Sequence, residues 1–351
     1  MRAAAGVGAC LPAARQRKTT ARRRTLRKPC EVKRGAPSWQ SMLVSAMLSS
    51  LVAVPQAVEA GEGGTSHVLP GATATLTDLP PTSPGWFFKP MYLNYSGKAS
   101  ATIPTAAGLA VNLNATANTL ALGGGHTFEQ TVLGGAHYSV AAFLPYTWLD
   151  VSANVQTPAG PVARQNNVSG FGDLTVVPLI LAWKTGDWQI DTMLPVFAPT
   201  GSYEKGRLGN PSLNYWTFDP NFGVAYSNKT SGFNAMLRVG YAINTENPDT
   251  NYRSGSLLHF DGAVQQILPL GSGFLTLGAE AFYFDQVTCD SGAGATLGCF
   301  KGMTAGLGPV LGYLQPFGQQ SLVVELKWLP ELDTKNRLEG DYIWLKVVYK
   351  F

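Results

Sequence analysis

Histidine is the one side chain whose ordinary pKa lies near neutrality, and the chain has four: His67, His126, His137 and His259. Residues two apart on a strand share a face, so His259 and Asp261 point the same way if their segment is a strand. His126 and His137 flank a predicted turn, and His67 precedes the first predicted strand, where it reads as a loop hydrogen-bonder rather than a ligand. A lipid-cleaving barrel needs Ser and His together at the lipid-facing rim. His259 is predicted to face inward, which argues against that chemistry. The sequence contains no G-x-S-x-G, G-x-x-x-x-G-K-[ST] or H-E-x-x-H and no paired-Cys zinc spacing, so no catalytic residue, metal or cofactor is read from it.

A larger constellation is charged. Period-two alternation turns Asp191, Asp219, Arg238, His259, Asp261 and Glu280, from five consecutive predicted strands, to one face. Glu325, Lys327 and Lys346 join them from the last two strands. Lys or Arg at lipid mid-depth costs about 2–4 kcal/mol, so this face is predicted to be the interior. The belt has two readings: a constriction along a substrate path, or ion pairs that hold a narrow barrel shut. Phe274, Phe282, Phe284, Tyr342 and Trp344 also fall on inward phases and suit apolar or aromatic solutes, although Tyr342 and Trp344 equally fit an outer aromatic belt. Cys289 and Cys299 are the two cysteines of the predicted mature chain, and in an exported protein they are expected to pair. Such a bridge constrains the unfolded chain by roughly 3 kcal/mol on the loop-entropy model.

The elements that must position these groups are strands. The last residues, Asp341 to Phe351, place Ile343, Leu345, Val347, Tyr349 and Phe351 on one face and Tyr342, Trp344, Lys346, Val348 and Lys350 on the other. Alternation running to a terminal Phe is expected of the closing strand of an outer-membrane barrel, with Tyr349 and Phe351 as the membrane-insertion signal. Twelve strands are predicted, near 86–96, 115–129, 133–153, 170–184, 187–201, 214–227, 232–245, 256–268, 273–287, 301–316, 320–330 and 340–351. With a periplasmic N-terminus, the outer loops are 97–114, 154–169, 202–213, 246–255, 288–300 and 331–339, and the periplasmic turns between them are short. Trp86, Trp183 and Trp188 fall at one set of strand ends and Trp148, Trp216, Trp328 and Trp344 at the other, as interfacial anchoring predicts. Pro178, Pro195, Pro220 and Pro309 lie inside predicted strands, where bulges are expected.

Composition agrees with this fold class, an all-β transmembrane antiparallel barrel of about twelve strands. Charged residues are 14% of the chain, and past residue 60 no uncharged run of eighteen apolar residues exists to make a spanning helix. The net charge of +4 is carried by the head, since Met1 to Ser41 holds eleven Arg or Lys against the single acid Glu31. Beyond residue 60 there are fifteen basic and twenty acidic residues, a net of −5, so no nucleic-acid partner is read. Residues 1–60 read as a basic extension plus secretory signal, with an apolar stretch from Met42 to Val54 and cleavage after Ala60. The long basic head suggests that translation starts at Val32. Residues 61–85 have no period and are either a plug inside the lumen or a periplasmic tail, and 86–351 form the barrel. Expected partners are membrane lipid and lipopolysaccharide, the outer-membrane barrel assembly machinery, and small hydrophobic solutes.

From Gly61 to Phe351 the sequence also resembles a family of outer-membrane proteins grouped under the meta-pathway of phenol degradation. The likeness rests on the mature start GEGGTSHVLPG from Gly61 to Gly71, where the family favours Tyr at the position of Val68. It rests too on Phe171-Gly172-Asp173-Leu174 followed by Pro178 and Trp183, on Ala198-Pro199-Thr200-Gly201-Ser202-Tyr203, and on Asn214-Tyr215-Trp216-Thr217-Phe218-Asp219-Pro220. The resemblance implies a barrel linked to aromatic catabolism that passes hydrophobic compounds. The expectation is therefore a passive channel for small hydrophobic or aromatic molecules. The alternatives are a closed barrel that binds partners through its outer loops, including the Cys289–Cys299 loop, and a lipid-modifying enzyme.

Overall fold

In the computed structural model, residues 65–99, 103–105, 107–295, 299 and 301–351 are described. The predicted signal segment, its cleavage point after Ala60 and the start at Val32 lie outside them. The strands are β1 (Gly85–Phe88), β2 (Met91–Ala99), β3 (Ile103–Thr105), β4 (Gly108–Val132), β5 (Ala136–Thr157), β6 (Gly160–Phe171), β7 (Leu174–Thr185), β8 (Trp188–Met193) and β9 (Val196–Ala198), followed by β10 (Thr217–Phe218), β11 (Asn221–Ser227), β12 (Phe233–Asn244), β13 (Leu257–Leu270), β14 (Gly273–Gln286), β15 (Met303–Phe317), β16 (Gln320–Lys335) and β17 (Glu339–Lys350). All belong to one antiparallel sheet, and β17 closes it by pairing with β16 on one side and with β2 and β1 on the other. Four wall strands are each split in two (β1/β2, β6/β7, β8/β9 and β10/β11), and β3 is a short pairing on β4, which leaves a ring of twelve.

Three of the splits coincide with proline, which has no N–H to give the ladder: Pro90, Pro195 and Pro220. The wall stays hydrogen-bonded across them, through Val347 N to Pro90 O (3.0 Å), Asp219 N to Pro195 O (2.9 Å) and Tyr241 N to Pro220 O (3.1 Å). Pro178 lies in β7, whose register with β5 shifts between Ser139 and Ala141. Pro309 sits in an unbroken β15 opposite Ala279.

One end of the barrel carries tight turns at 133–135, 186–187, 228–232, 271–272 and 318–319. The opposite end differs from the predicted set of long loops. Segments 97–114 and 154–169 are largely strand, because β4, β5 and β6 continue past the wall and β5 turns directly into β6. Segment 331–339 is likewise mostly ladder. An antiparallel pair keeps its hydrogen bonds for as long as both strands last, whatever surrounds it. These extensions also have a core of their own: Leu113, Val151, Ala153 and Val155 bury against Leu208 and Leu338.

Along the walls the two faces separate as the alternation requires. Leu237, Phe260, Leu277, Leu311, Leu326 and Leu345 are exposed on the outside, and Asn234, Arg238, His259, Asp261 and Gln265 are buried inside. Trp86, Trp188, Trp216 and Trp328 are exposed, as belt residues should be, and Trp148 is exposed as well. Trp344 is not part of the belt. It is 5% exposed, inside the barrel, and Tyr342 beside it is 2% exposed. Both follow the phase of Lys346, so strand periodicity overrides the aromatic-belt reading. Phe282 and Phe284 are buried as their phase predicts, whereas Phe274, at the short-turn end of β14, is 37% exposed.

Candidate functional site

The interior is organised around residues 65–84, which have little regular structure beyond one 3-10 turn at Leu76–Asp78. An irregular segment has peptide groups with no ladder to join, and inside a barrel they must find other partners. The inward charged and polar side chains supply them. Lys327 Nζ donates to Gly71 O (2.9 Å), Lys346 Nζ to Gly71 O (2.7 Å) and Ala72 O (2.9 Å), Arg238 Nε to Thr73 O (3.1 Å) and Gln189 Nε2 to Pro80 O (2.9 Å). In the other direction, Asp261 Oδ1 accepts from Gly71 N (3.2 Å), Gln265 Oε1 from Leu76 N (2.8 Å), and the Glu325 carboxylate from Thr75 and Thr77 hydroxyls (2.8 Å each). The indole of Trp344 donates to Pro70 O (2.9 Å).

Asp78 is the segment's central charge. Its carboxylate meets Lys89 (2.6 Å), Lys327 (3.1 Å) and Lys346 (2.8 Å). Burial alone pushes this carboxyl up, but the three ammonium groups prevail and hold it well below the usual carboxylate value. The remaining ions pair within the wall. Arg238 lies 2.8 Å from Asp191, and Lys327 lies 2.8 Å from Glu280, each an ion pair. His259 Nε2 lies 3.0 Å from Asp219 Oδ1, and its Nδ1 is 3.5 Å from Asp261 Oδ2. Two glycines make room for these pairs. A Cβ on Gly240 would stand 2.1 Å from His259 Nε2, and one on Gly223 would stand 2.7 Å from Asp191 Oδ2.

Nearer the long-loop end, His67 ties the segment to the wall. Its Nε2 is 2.8 Å from Asp173 Oδ2 and its Nδ1 2.7 Å from Thr217 Oγ1, while its ring stacks on Phe197 at 4.9 Å. A Thr, a His and an Asp in line suggest a catalytic triad, but the Thr217 hydroxyl proton goes to Asn244 Oδ1 (2.7 Å). With its proton committed elsewhere, Thr217 is not a nucleophile poised against a base. Val68 and Leu69 then insert among Phe282, Phe284, Leu329 and Trp344.

The grip is one-sided. Apart from Lys89, Asp173, Gln189 and Thr217, the polar partners come from β12 to β17, and across the lumen the segment faces a mainly apolar wall. Between them lies a cavity of about 480 Å³, with Phe87, Met91, Phe143, Val177, Ile180 and Met193 among its lining. That lining runs from Ser321 and Lys350 near the tight turns to Gly172 and Pro211 near the other end.

A twelve-stranded closed ring with an internal N-terminal segment invites comparison with known barrels. Residues 98–347 match the family model described as "Putative MetA-pathway of phenol degradation". The chain belongs to this family. A search of curated proteins gave no match. Among solved structures, an outer-membrane channel from Pseudomonas putida F1 superposes with a TM-score of 0.54 at 17% identity, covering 81% of this chain and 100% of that one. The β domain of a Bordetella autotransporter gives a TM-score of 0.44 at 11% identity, covering 77% of this chain and 100% of that one. At 17% identity the likeness to the Pseudomonas structure concerns the fold, an outer-membrane type of barrel.

Within this family fold, Asp191, Asp219, Arg238, His259, Asp261, Glu280, Glu325, Lys327 and Lys346 all lie inside the barrel and are at most 3% exposed. Arg238, Asp261, Glu325, Lys327 and Lys346 touch the inner segment, and the others pair among the wall residues. None of the nine except Asp219 lines the cavity. Cys289 and Cys299 are joined by a disulfide. Tyr349 stacks on Phe351 at 5.5 Å, and Phe351 exchanges backbone hydrogen bonds with Trp86. The sequence reading passed over Asp78 and the apolar wall. One signal for Asp78 was present, since it is the sole acid between Glu62 and Glu129. No comparable signal marks the wall, because Phe143, Val177 and Ile180 read as ordinary strand residues until the opposite side of the lumen is known to be filled.

Proposed function

We propose that the protein is an outer-membrane channel for passive uptake of small apolar and aromatic compounds, which travel along the cavity beside the inner segment. The observation that carries this reading is the mainly apolar lining, from Phe87 and Met91 through Phe143 to Val177 and Ile180, in which the charged residues Asp78 and Lys89 are already paired with each other. An apolar solute on this path passes mainly aliphatic and aromatic side chains and need not part the Asp78–Lys89 pair beside it. A sugar, by contrast, finds few partners for its hydroxyls on that side. The family's link to phenol degradation supports an aromatic solute, and the likeness to the Pseudomonas outer-membrane channel supports transport. The deciding experiment measures initial uptake of labelled phenol-like aromatics, alkanes and sugars in deletion cells with and without the gene. A Val177→Trp variant that fills the cavity serves as the blocked form. Faster aromatic uptake with the wild type, lost in Val177→Trp while sugars stay excluded, supports the channel. Equal uptake in all three strains, with the barrel folded in the membrane, removes it.

A further inference from the structure

The outer face of β2, β4, β5 and β6 changes chemistry from one row of paired residues to the next. Tyr92, Leu120, Tyr146 and Phe171 stand in register as one row, with the Tyr146 ring edge-on to Phe171 at 5.2 Å. Below it lie the exposed Leu122 and Leu144 of the apolar wall, so this row is the interfacial girdle. The next row toward the long-loop end is Asn94, Asn118, Trp148 and Ser169, and the one after is Ser96, Thr116, Asp150 and Asn167.

These rows are hollowed. A concavity of about 490 Å³ is lined by Asn114, Thr116, Asn118, Trp148, Asp150 and Asn167, among others, with Trp148 46% exposed. Asn118 Oδ1 accepts from Tyr92 Oη (2.7 Å) and Asn94 Nδ2 (2.8 Å), which leaves its N–H2 group to offer a ligand. Gln165 Nε2 donates to Asp150 Oδ1 (3.3 Å) and helps orient that carboxylate. No Lys or Arg lines the hollow, and it contains one carboxylate, so it suits a neutral ligand rather than a phosphate. Amides, hydroxyls and a carboxylate to meet hydroxyl groups, beside an indole to meet a C–H face, are the partners a sugar ring needs.

We propose that this hollow binds a neutral core sugar of the outer-leaflet glycolipid. Its position selects that source over a free saccharide. Rows two residues apart are separated by about 7 Å along a strand, so the hollow begins one such step beyond the girdle. A glycolipid whose acyl chains lie on Leu120, Leu122 and Leu144 carries its sugars to this height, and the protein then binds both halves of one molecule. The site depends on membrane location and is independent of transport.

The test is native mass spectrometry of the full-length barrel, extracted in detergent and supplied with one of three probes: glycolipid carrying the complete core, glycolipid truncated before its neutral core sugars, or free core oligosaccharide. The proteins are wild type, Trp148→Ala, Asn118→Ala, Trp148→Phe and, as a belt control, Trp216→Ala, each shown folded by heat-modifiable gel migration. The expected result is retention of complete-core glycolipid by wild type, Trp148→Phe and Trp216→Ala, reduced about tenfold in Trp148→Ala and Asn118→Ala, as loss of a stacking or hydrogen-bonding partner implies. Truncated glycolipid is held weakly by all five. Equal retention across the variants, truncated glycolipid held as well as complete, or free oligosaccharide bound as tightly as glycolipid each overturns the proposal.

Discussion

At Asp78 a single carboxylate faces three ammonium groups, and protonating it leaves them to repel one another. Because its folded-state pKa lies below the unfolded value, the stability it contributes is complete above the ordinary carboxylate range, near 4, and is lost as pH falls through the folded value. A spin label at Thr77→Cys is therefore expected to stay immobile from pH 7 to about pH 4 and to gain mobility only below. Release between pH 5 and 7 is the result that contradicts this assignment. Arg238 poses the matching problem for the wall. Removing it as Arg238→Met strands the fully buried Asp191, for a cost of about 3–5 kcal/mol, and the double variant Asp191→Leu/Arg238→Met recovers most of the loss. Urea unfolding of the folded barrel in detergent reads both values. A double variant no more stable than the single one means that the charge pair is not what Arg238 supplies.

The elements divide into a wall that is nearly rigid by hydrogen bonding and connections that depend on other constraints. The segment between β14 and β15 is held by the Cys289–Cys299 bridge and by the paired backbones of Arg253 and Ser291 (2.8 and 2.9 Å). Changing both cysteines to Ser removes roughly 3 kcal/mol of loop constraint on the entropy model. Limited proteolysis is expected to cut within 287–302 in that variant while the barrel core stays intact, and unchanged resistance points to the backbone pairing as sufficient. The strands themselves were legible from period two, since His259, Asp261 and Lys346 fall inside and Leu237, Phe260 and Leu345 outside as their phases require. Two features were not legible. The continuation of β5 into β6 was hidden because Thr157-Pro158-Ala159-Gly160 signals a turn without telling how far the flanking strands stay paired. Which partners the inner charges choose was hidden as well, because Lys327 can meet Glu325 in its own strand or Asp78 some 250 residues away in sequence, and only three-dimensional closure decides.

For the whole molecule, the inner segment occupies the lumen, and in the proposed channel it sets what passes. Twelve strands enclose a lumen between those filled by their own side chains and those that leave a water channel, so the occupant decides the bore. Deleting residues 65–82 is expected to turn an apolar path into a wider aqueous one, because Arg238, Asp261, Lys327 and Lys346 then face water. Planar-bilayer recordings should show conductance rising several-fold and sugars passing. An unchanged conductance, with the deletion variant folded, places the constriction in the wall instead. The same segment bears on how the protein is made. Lys346, which holds Gly71, Ala72 and Asp78, stands on β17, and β17 is the strand that meets β1 and β2 to complete the ring. The contacts that tie the inner segment to β17 thus form no earlier than β17 itself takes its place, so the segment is expected to settle fully only as the seam is sealed.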